Sequence, residues 1–320
     1  MFSIVTTSFR RISSASLRKM AKIIDGKQVA AEVRLNLKNE VQEFIAAGNR
    51  APQLTAILIG NDPASQTYVN NKMKAAQEIG INSCTKHLPS SISEDELLKI
   101  IDELNENQSV DAILVQLPVP DHINERKICN AVKYEKDVDG FNEINVGRLA
   151  LDMETIVPCT PLGVRQLLKY YNIETKGKNA VVVGRSKNVS LPIAMMLHTD
   201  KSHHDRSMDA TVTICHRYTP RDELKRYCQL ADIIVTATGI PGIIQADMVK
   251  PGACVIDIGI TRIPIEGTDK TKLVGDVDFE AVKDIAGFIT PVPGGVGPMT
   301  VAMLMKTTVK IAKNLAFKKL

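Results

Sequence analysis

The sequence predicts a two-domain α/β protein with largely parallel sheets. Short apolar, strand-like runs alternate with helical patterns along the chain, the rhythm of parallel sheets covered by helices. At 320 residues the chain is long enough for two domains. Four of the runs, 179–186, 210–216, 232–239 and 254–260, follow one another with only short helical stretches between them. That spacing is the rhythm of a Rossmann-like sheet.

Residues 1–22 stand apart from the rest. The first twenty carry Arg10, Arg11, Arg18 and Lys19, five serines and no acid, and Phe2, Val5, Phe9 and Ile12 recur at helical spacing. A basic, amphipathic, serine-rich start is the make-up of a mitochondrial transit peptide, with a disordered tail as the plainer alternative. A first domain is expected over 23–150: a helix over 29–44, a buried strand over 54–60, a helix over 64–79 closed by Gly80, and a strand over 111–120 stopped by two prolines. A second domain is expected over 151–300, opening on a helix with Thr160 as N-cap and Pro161 at its first position. A last helix, roughly 299–315, is apolar on one face and should return to the first domain, so that 301–320 forms a separate closing segment.

The hydrophobic fraction of 44% and charged fraction of 24% are ordinary for a soluble globular chain. Net charge is +4 and aromatic content 4%, with no long basic run, so no nucleic-acid surface is expected. No apolar stretch approaches the ~18–20 residues of a membrane helix. The six cysteines are widely spaced with no CxxC, which fits buried reduced thiols. His198, His203, His204 and His216 sit at irregular spacing without a cysteine pair, a poor zinc pattern.

Two glycine-bearing loops carry chemistry. In VVVGRSKNVSLP, Gly184 can turn sharply at a strand end and Ser186 with the following amides would open a helix N-terminus, where phosphate is favoured. The full G-x-G-x-x-G is absent, and a purely structural strand–turn–helix reads the same way; three further strands behind it favour a dinucleotide. TPVPGGVGPMTVAML leaves backbone exposed at Gly294, Gly295 and Gly297 before a helix, either to line a ligand or as a stiff connector. In the first domain, YVNNKMKAA puts Tyr68 and Lys72 four apart on one helix face. A Y-x-x-x-K pair also occurs in short-chain dehydrogenases, but there the nucleotide motif comes first, whereas here it follows by a hundred residues. VQLP ends a strand on Gln116, and EKDVDGF places Asp137 and Asp139 in a turn.

Taken together, YVNNKMKAAQEIGI, VQLPVP, KDVDGFN, VVVGRS and TPVPGGVGPMTVAMLM, in this order, resemble the methylenetetrahydrofolate dehydrogenase/cyclohydrolase family from about Ile23 to Lys313. The resemblance implies an N-terminal α/β domain and a C-terminal Rossmann-like NAD(P)-binding domain with a cleft between them, paired as a homodimer. It implies hydride transfer from 5,10-methylenetetrahydrofolate to nicotinamide, then hydrolysis of the methenyl cation to 10-formyltetrahydrofolate. By the same resemblance Lys72 is the catalytic lysine, Gln116 its hydrogen-bonded partner, Tyr68 the residue stacked on the folate and Asp139 the carboxylate that grips the pterin. Val115, Leu117, Pro293, Gly294 and Gly295 complete the expected folate site. Gly184, Arg185, Ser186, Arg217, Gly259, Ile260 and Thr300 make the expected cofactor site. The roles are chemically sensible: a neutral lysine tolerates a cationic intermediate and can shuttle protons, and a carboxylate accepts the donor edge of a pterin.

Arg217 follows a strand end, where an arginine usually reads the 2′-phosphate of NADP. GRSKNV, LHTD and DATVTICHRYTP instead resemble the mitochondrial NAD-dependent branch, which is understood to use NAD with inorganic phosphate and Mg²⁺. On that resemblance Arg185 and Arg217 hold the phosphate, and Asp209 and Asp152 the Mg²⁺; direct NADP binding by the two arginines remains the alternative, as does, more distantly, a non-catalytic binding protein. Function in the mitochondrial matrix is expected. The ATP-dependent formate activation of larger relatives needs a separate domain and is not expected. The VGDVDF segment matches the family without an assigned role.

Overall fold

The computed structural model describes residues 20–200, 207–268 and 270–317. The expected leader falls almost wholly outside the described residues, as do His203 and His204. The chain opens on β1 (Lys22–Ile23) and α1 (Gly26–Ala46). It continues through β2 (Gln53–Ile59), α2 (Pro63–Glu78), β3 (Asn82–Leu88), α3 (Glu94–Glu106), β4 (Ala112–Val115), α4 (Glu125–Ala131) and α5 (Glu143–Ala150). The second half holds α6 (Cys159–Tyr170), β5 (Asn179–Val183), α7 (Ser190–His198), β6 (Thr211–Cys215), α8 (Arg221–Leu230), β7 (Ile233–Thr236), β8 (Cys254–Asp257), β9 (Thr261–Pro264), β10 (Thr271–Val274), α9 (Phe279–Val282), β11 (Phe288–Ile289) and α10 (Val296–Phe317).

The first sheet is parallel, in the order β3-β2-β4. Its central strand β2 is buried at every position from Leu54 to Ile59, which is why it reads as one apolar run rather than an alternation. The edge strand β3 is mostly exposed and correspondingly polar. The second sheet is a six-stranded parallel sheet in the order β1-β11-β8-β7-β5-β6, and β9 and β10 form a separate antiparallel hairpin. The chain expected to begin the first domain therefore supplies its first two strand residues to the second: Lys22 and Ile23 pair with Phe288 and Ile289. Two-residue strands show no periodicity in a sequence, so the four expected strands of this sheet become six.

The two sheets are joined through helices. One continuous apolar cluster runs from Leu54 and Leu114 in the first sheet, through Leu167 of α6 and Met299 and Met303 of α10, to Val182 and Ile256 in the second. α10 packs on both α1 and α6, as the apolar face of the last helix requires, and Lys313 Nζ donates to Glu40 Oε1 at 2.6 Å across the α10–α1 contact. The helix begins at Val296, inside the stretch expected to belong to the second domain. Thr160 does not cap α6: the helix starts at Cys159 behind Pro158, and the Thr160 hydroxyl lies 3.2 Å from that of Thr300. Across the cleft, Arg126 of α4 donates to Asn188 Oδ1, and Asn188 donates back to Glu125, so α4 meets the loop ahead of α7.

At the first helix the chain turns from the second sheet into the first domain. Asp25 caps α1 through Gln28 N, and its own amide donates to the Tyr171 hydroxyl at 2.8 Å. Gly26 follows because the glycine-rich loop passes close by: a Cβ there would lie 1.7 Å from the Gly295 carbonyl oxygen, and Lys27 N bonds the Gly294 carbonyl at 3.1 Å. Gly26→Ala is therefore expected to displace the 294–295 loop and lower the thermal midpoint. Gly147→Ala in α5, where an added Cβ meets nothing within 4 Å, should be neutral or stabilising by ~0.5–1 kcal/mol. Thermal unfolding of both variants checks this; equal midpoints would contradict the close approach.

Candidate active site

α2 presents the first half of the site. Asp62 caps it through Ser65 N with Pro63 in the first turn, and Val69 and Ala76 bury one face in the core. Tyr68 and Lys72 lie toward the same side, with Lys72 one turn from both Tyr68 and Ala76: Tyr68 is 45% exposed and Lys72 partly buried. At the end of β4, Gln116 N bonds the Ile57 carbonyl and its side-chain amide donates to the Leu117 carbonyl at 2.7 Å. That second bond turns Oε1 outward, where it accepts from Lys72 Nζ at 2.9 Å. Val115 is the buried last residue of the strand and Leu117 supplies the orienting carbonyl.

The 137–140 turn brings the carboxylate. Asp137 is buried and wholly spent on structure, accepting from Gly140 N, Asn142 N and Asn145 Nδ2. Gly140 takes a φ of 69°, and a Cβ there would sit 2.7 Å from the Ile156 carbonyl. Asp139 is then free to face Lys72. Burial pushes its carboxyl up to about 7, the charge of Asp137 adds to this, and the charge of Lys72 opposes it. Lys72, Gln116 and Asp139 thus come together from a helix, a strand end and a turn.

A cavity of about 440 Å³ opens beside this cluster, one helical turn from Lys72. Tyr68, Ile260, Pro293, Gly294 and Gly295 line it, together with Lys27, Asn71 and Arg262, which the sequence reading did not single out. Lys27 follows directly on the glycine that admits the loop; Asn71 and Arg262 carried no sequence signal. Gly259 sits behind this wall, its amide on Asp257 Oδ1. Thr300 lies one turn into α10 and is occupied with Thr160 and the Val296 carbonyl.

A second cavity, about 590 Å³, lies at the C-terminal ends of β5, β6 and β7. Ligands bind at that edge of open parallel sheets. Gly184, Arg185, Ser186 and Arg217 line it, with Arg221 of α8 as a third guanidinium and no carboxylate. Gly184 has φ +135°, and a Cβ there would meet Ser190 Oγ at 2.5 Å and the Ala237 carbonyl at 2.7 Å. Arg185 lies over the Tyr218 ring, 5.3 Å from its centroid. Ser186 does not open a helix: α7 starts at Ser190, and Ser186 precedes it in the loop.

The two candidate Mg²⁺ ligands are elsewhere. Asp209 precedes β6 and Arg217 follows it, so the strand from Thr211 to Cys215, four steps of ~3.3 Å, separates them. Asp209 N bonds the Thr199 carbonyl at 3.0 Å, and Asp152 Oδ2 accepts from Asp200 N at 3.2 Å. Both carboxylate residues therefore flank the end of α7, at the opposite edge of the sheet from Arg185. They do not fit an ion shared with a phosphate on the arginines. Among the described residues no group of three or more His, Cys, Asp or Glu side chains is arranged to hold a metal.

Residues 24–139 match the model of the tetrahydrofolate dehydrogenase/cyclohydrolase catalytic domain, and residues 158–316 that of the family's NAD(P)-binding domain. The chain belongs to this family. It is 64% identical over 295 residues to the mitochondrial bifunctional methylenetetrahydrofolate dehydrogenase/cyclohydrolase of Drosophila melanogaster, covering 92% of this chain and 96% of the relative. Among solved structures it resembles a 5,10-methylenetetrahydrofolate dehydrogenase from the silkworm Bombyx mori, with a TM-score of 0.88 and 57% identity over 93% of this chain and all (100%) of the other. It also resembles the Trypanosoma brucei dehydrogenase–cyclohydrolase solved with NADP cofactor and inhibitor, with a TM-score of 0.86 and 38% identity over 92% of this chain and 98% of that one.

The raised carboxyl of Asp139 makes stability depend on pH. Its folded value, about 7, exceeds the ordinary carboxylate value, so folding carries a penalty that is absent near pH 4, grows as pH rises and is complete above pH 7. Asp139→Asn removes that penalty and should stabilise the protein more at pH 8 than at pH 5, by ~2–3 kcal/mol. Denaturant unfolding at the two pH values checks this; a gain independent of pH would contradict it.

Proposed function

We propose that the cleft runs both family reactions on one bound folate, with NAD as hydride acceptor and inorganic phosphate held between Arg185 and Arg217. The family chemistry is bifunctional: 5,10-methylenetetrahydrofolate gives a hydride to the dinucleotide and becomes the 5,10-methenyl cation. Water then adds to the methenyl carbon, a ring C–N bond opens, and 10-formyltetrahydrofolate leaves with release of one proton. The observation that carries this reading is the Lys72–Gln116–Asp139 cluster beside a cavity lined by Tyr68 and the Pro293–Gly295 loop.

In this scheme Asp139 accepts the donor edge of the pterin and Tyr68 packs on its ring. Lys72 exchanges a proton with the adding water, its Nζ already aimed by Gln116. The Pro293–Gly295 backbone closes the opposite side. Lys72→Met is expected to abolish methenyl hydrolysis while leaving dinucleotide affinity within about twofold, because Lys72 lies on α2, away from the arginine-lined cavity. Stopped-flow hydrolysis at the wild-type rate would contradict the role. Asp139→Asn should weaken folate binding by ~1.5–3 kcal/mol, about ten- to a hundredfold.

The phosphate reading rests on a ribose-end cavity with three guanidiniums and no carboxylate. Paired guanidiniums suit a phosphate. Direct NADP binding is the second reading, favoured by the same arginines. The test is NAD-linked turnover against phosphate concentration. Phosphate should lower the KM for NAD, NADP should compete with phosphate, and Arg217→Ser should remove the response, a ~ten- to hundredfold loss of phosphate affinity. Asp209→Asn should leave the phosphate response unchanged. NADP-linked turnover exceeding NAD-linked turnover at saturating phosphate would make NADP the cofactor. The basic first twenty residues and the mitochondrial relatives point to the mitochondrion; we infer that the enzyme works in the matrix, as a homodimer.

A further inference from the structure

The VGDVDF segment is unused by the chemistry above, yet it carries an unusual buried structure. Asp276 is completely buried, and its Oδ2 accepts three hydrogen bonds: from Thr236 Oγ1 at 2.8 Å, Thr238 N at 2.6 Å and Thr238 Oγ1 at 2.9 Å. Its own amide donates to Asp257 Oδ1 at 3.0 Å. Asp257 also accepts from Gly259 N and Val277 N, both at 2.9 Å, while its amide donates to Thr290 Oγ1 at 2.7 Å. Two carboxylates thus tie together the ends of β7, β8 and β11 and the segment after β10.

The packing is interlocked. A Cβ on Gly259 would lie 2.1 Å from Asp276 Oδ1, and one on Gly275 would lie 2.0 Å from Asp257 Oδ2. Asp276 Oδ1 has no hydrogen-bond partner among the described residues. Burying a carboxylate without an ion pair, and with an oxygen unbonded, costs stability that an apolar side chain would not. Burial also pushes the Asp257 carboxyl up to about 6, against three backbone amides that favour its charge. Such costs cluster where a site needs fixed geometry.

The location gives the reason. Ala237, Thr238 and Ile240, on the Asp276 side, line the arginine cavity; Ile258 and Ile260, on the Asp257 side, line the folate cavity. A direct tie, Thr261 Oγ1 to the Gly239 carbonyl at 3.2 Å, joins the same two loops. We propose that Asp276, through Asp257, is a positioning residue for hydride transfer: it locks the loop that bears the dinucleotide to the loop that bears the folate. The inference rests on the dehydrogenase chemistry above. The hydrolytic cluster of Lys72, Gln116 and Asp139 stands on α2, β4 and the 137–140 turn, whereas the clamp's hydrogen bonds go to residues 236–238, 259, 277 and 290.

The test is Asp276→Asn in the full chain, with both reactions measured on the same preparation. The amide keeps the shape but can present a donor to Thr238 N–H, so the loops separate. The expected result is a ~10- to 100-fold fall in dehydrogenase kcat, with methenyl hydrolysis within about twofold of wild type and a larger deuterium isotope effect from methylene-deuterated substrate. Parallel loss of both activities, or an unchanged dehydrogenase, would overturn the role. If that variant does not fold, Thr236→Val decides. Thr236 is buried, lines neither cavity and gives one of the three bonds, so the ratio of dehydrogenase to hydrolase should still fall. An unchanged ratio overturns the proposal. A wild-type chain without dehydrogenase activity would refute the proposed function instead.

Discussion

The hydrogen bond from Lys72 to Gln116 joins the two elements on which the site is built. Each partner is fixed from behind. Gln116 cannot rotate without giving up the Leu117 carbonyl, and Lys72 rides on a helix anchored in the core by its neighbours Val69, Ala75 and Ala76. The carboxyl of Asp139 faces the same lysine because Asp137 holds the turn from inside. In the proposed scheme, the group that meets a cationic intermediate is thereby held in place. Preorganisation of this kind is how a site avoids reorganising during the reaction.

The second constraint is shared space between the domains. Gly26 lets the 294–295 loop lie against the start of α1, and the same chain has just left the second sheet as β1. The 294–295 loop is therefore supported by the first domain and anchored in the second. With a common core through α6 and α10, the two cavities are walls of one structure rather than of two bodies in contact. Successive reactions on one folate suit that arrangement, since the intermediate need not leave between steps.

Much of this was legible in the sequence. β2, β5 and β7 announce themselves as apolar runs because they are buried on both faces, and α2 by its period and its Gly80 stop. The Tyr68, Lys72, Gln116 and Asp139 positions followed from motif resemblance, and the fold gathers the last three in one cluster. What stayed hidden depended on distance rather than residue type. β1 and β11 are too short to show a pattern, and β3 is an exposed edge whose polar residues hide it. Pro158 displaced Thr160 as the start of α6 because a proline fits a helix entry without needing an amide. Asp209 is set apart from Arg217 by the length of β6, and Asp152 by its contact with Asp200, neither of which the sequence shows. Asp276 looked idle because its partners, Thr236 and Thr238, are some forty residues away in sequence.

The central claim is that one cleft serves both reactions, with the folate on Lys72 and Asp139 and the dinucleotide on the arginine side. The most direct measurement is a crystal structure of the chain with NAD, phosphate and an unreactive folate analogue. The account predicts the pterin edge on Asp139, the Lys72–Gln116 bond intact, and the folate bridge carbon ~3–3.5 Å from C4 of the nicotinamide. A folate bound away from Asp139, or a nicotinamide that does not reach the bridge carbon, would contradict it.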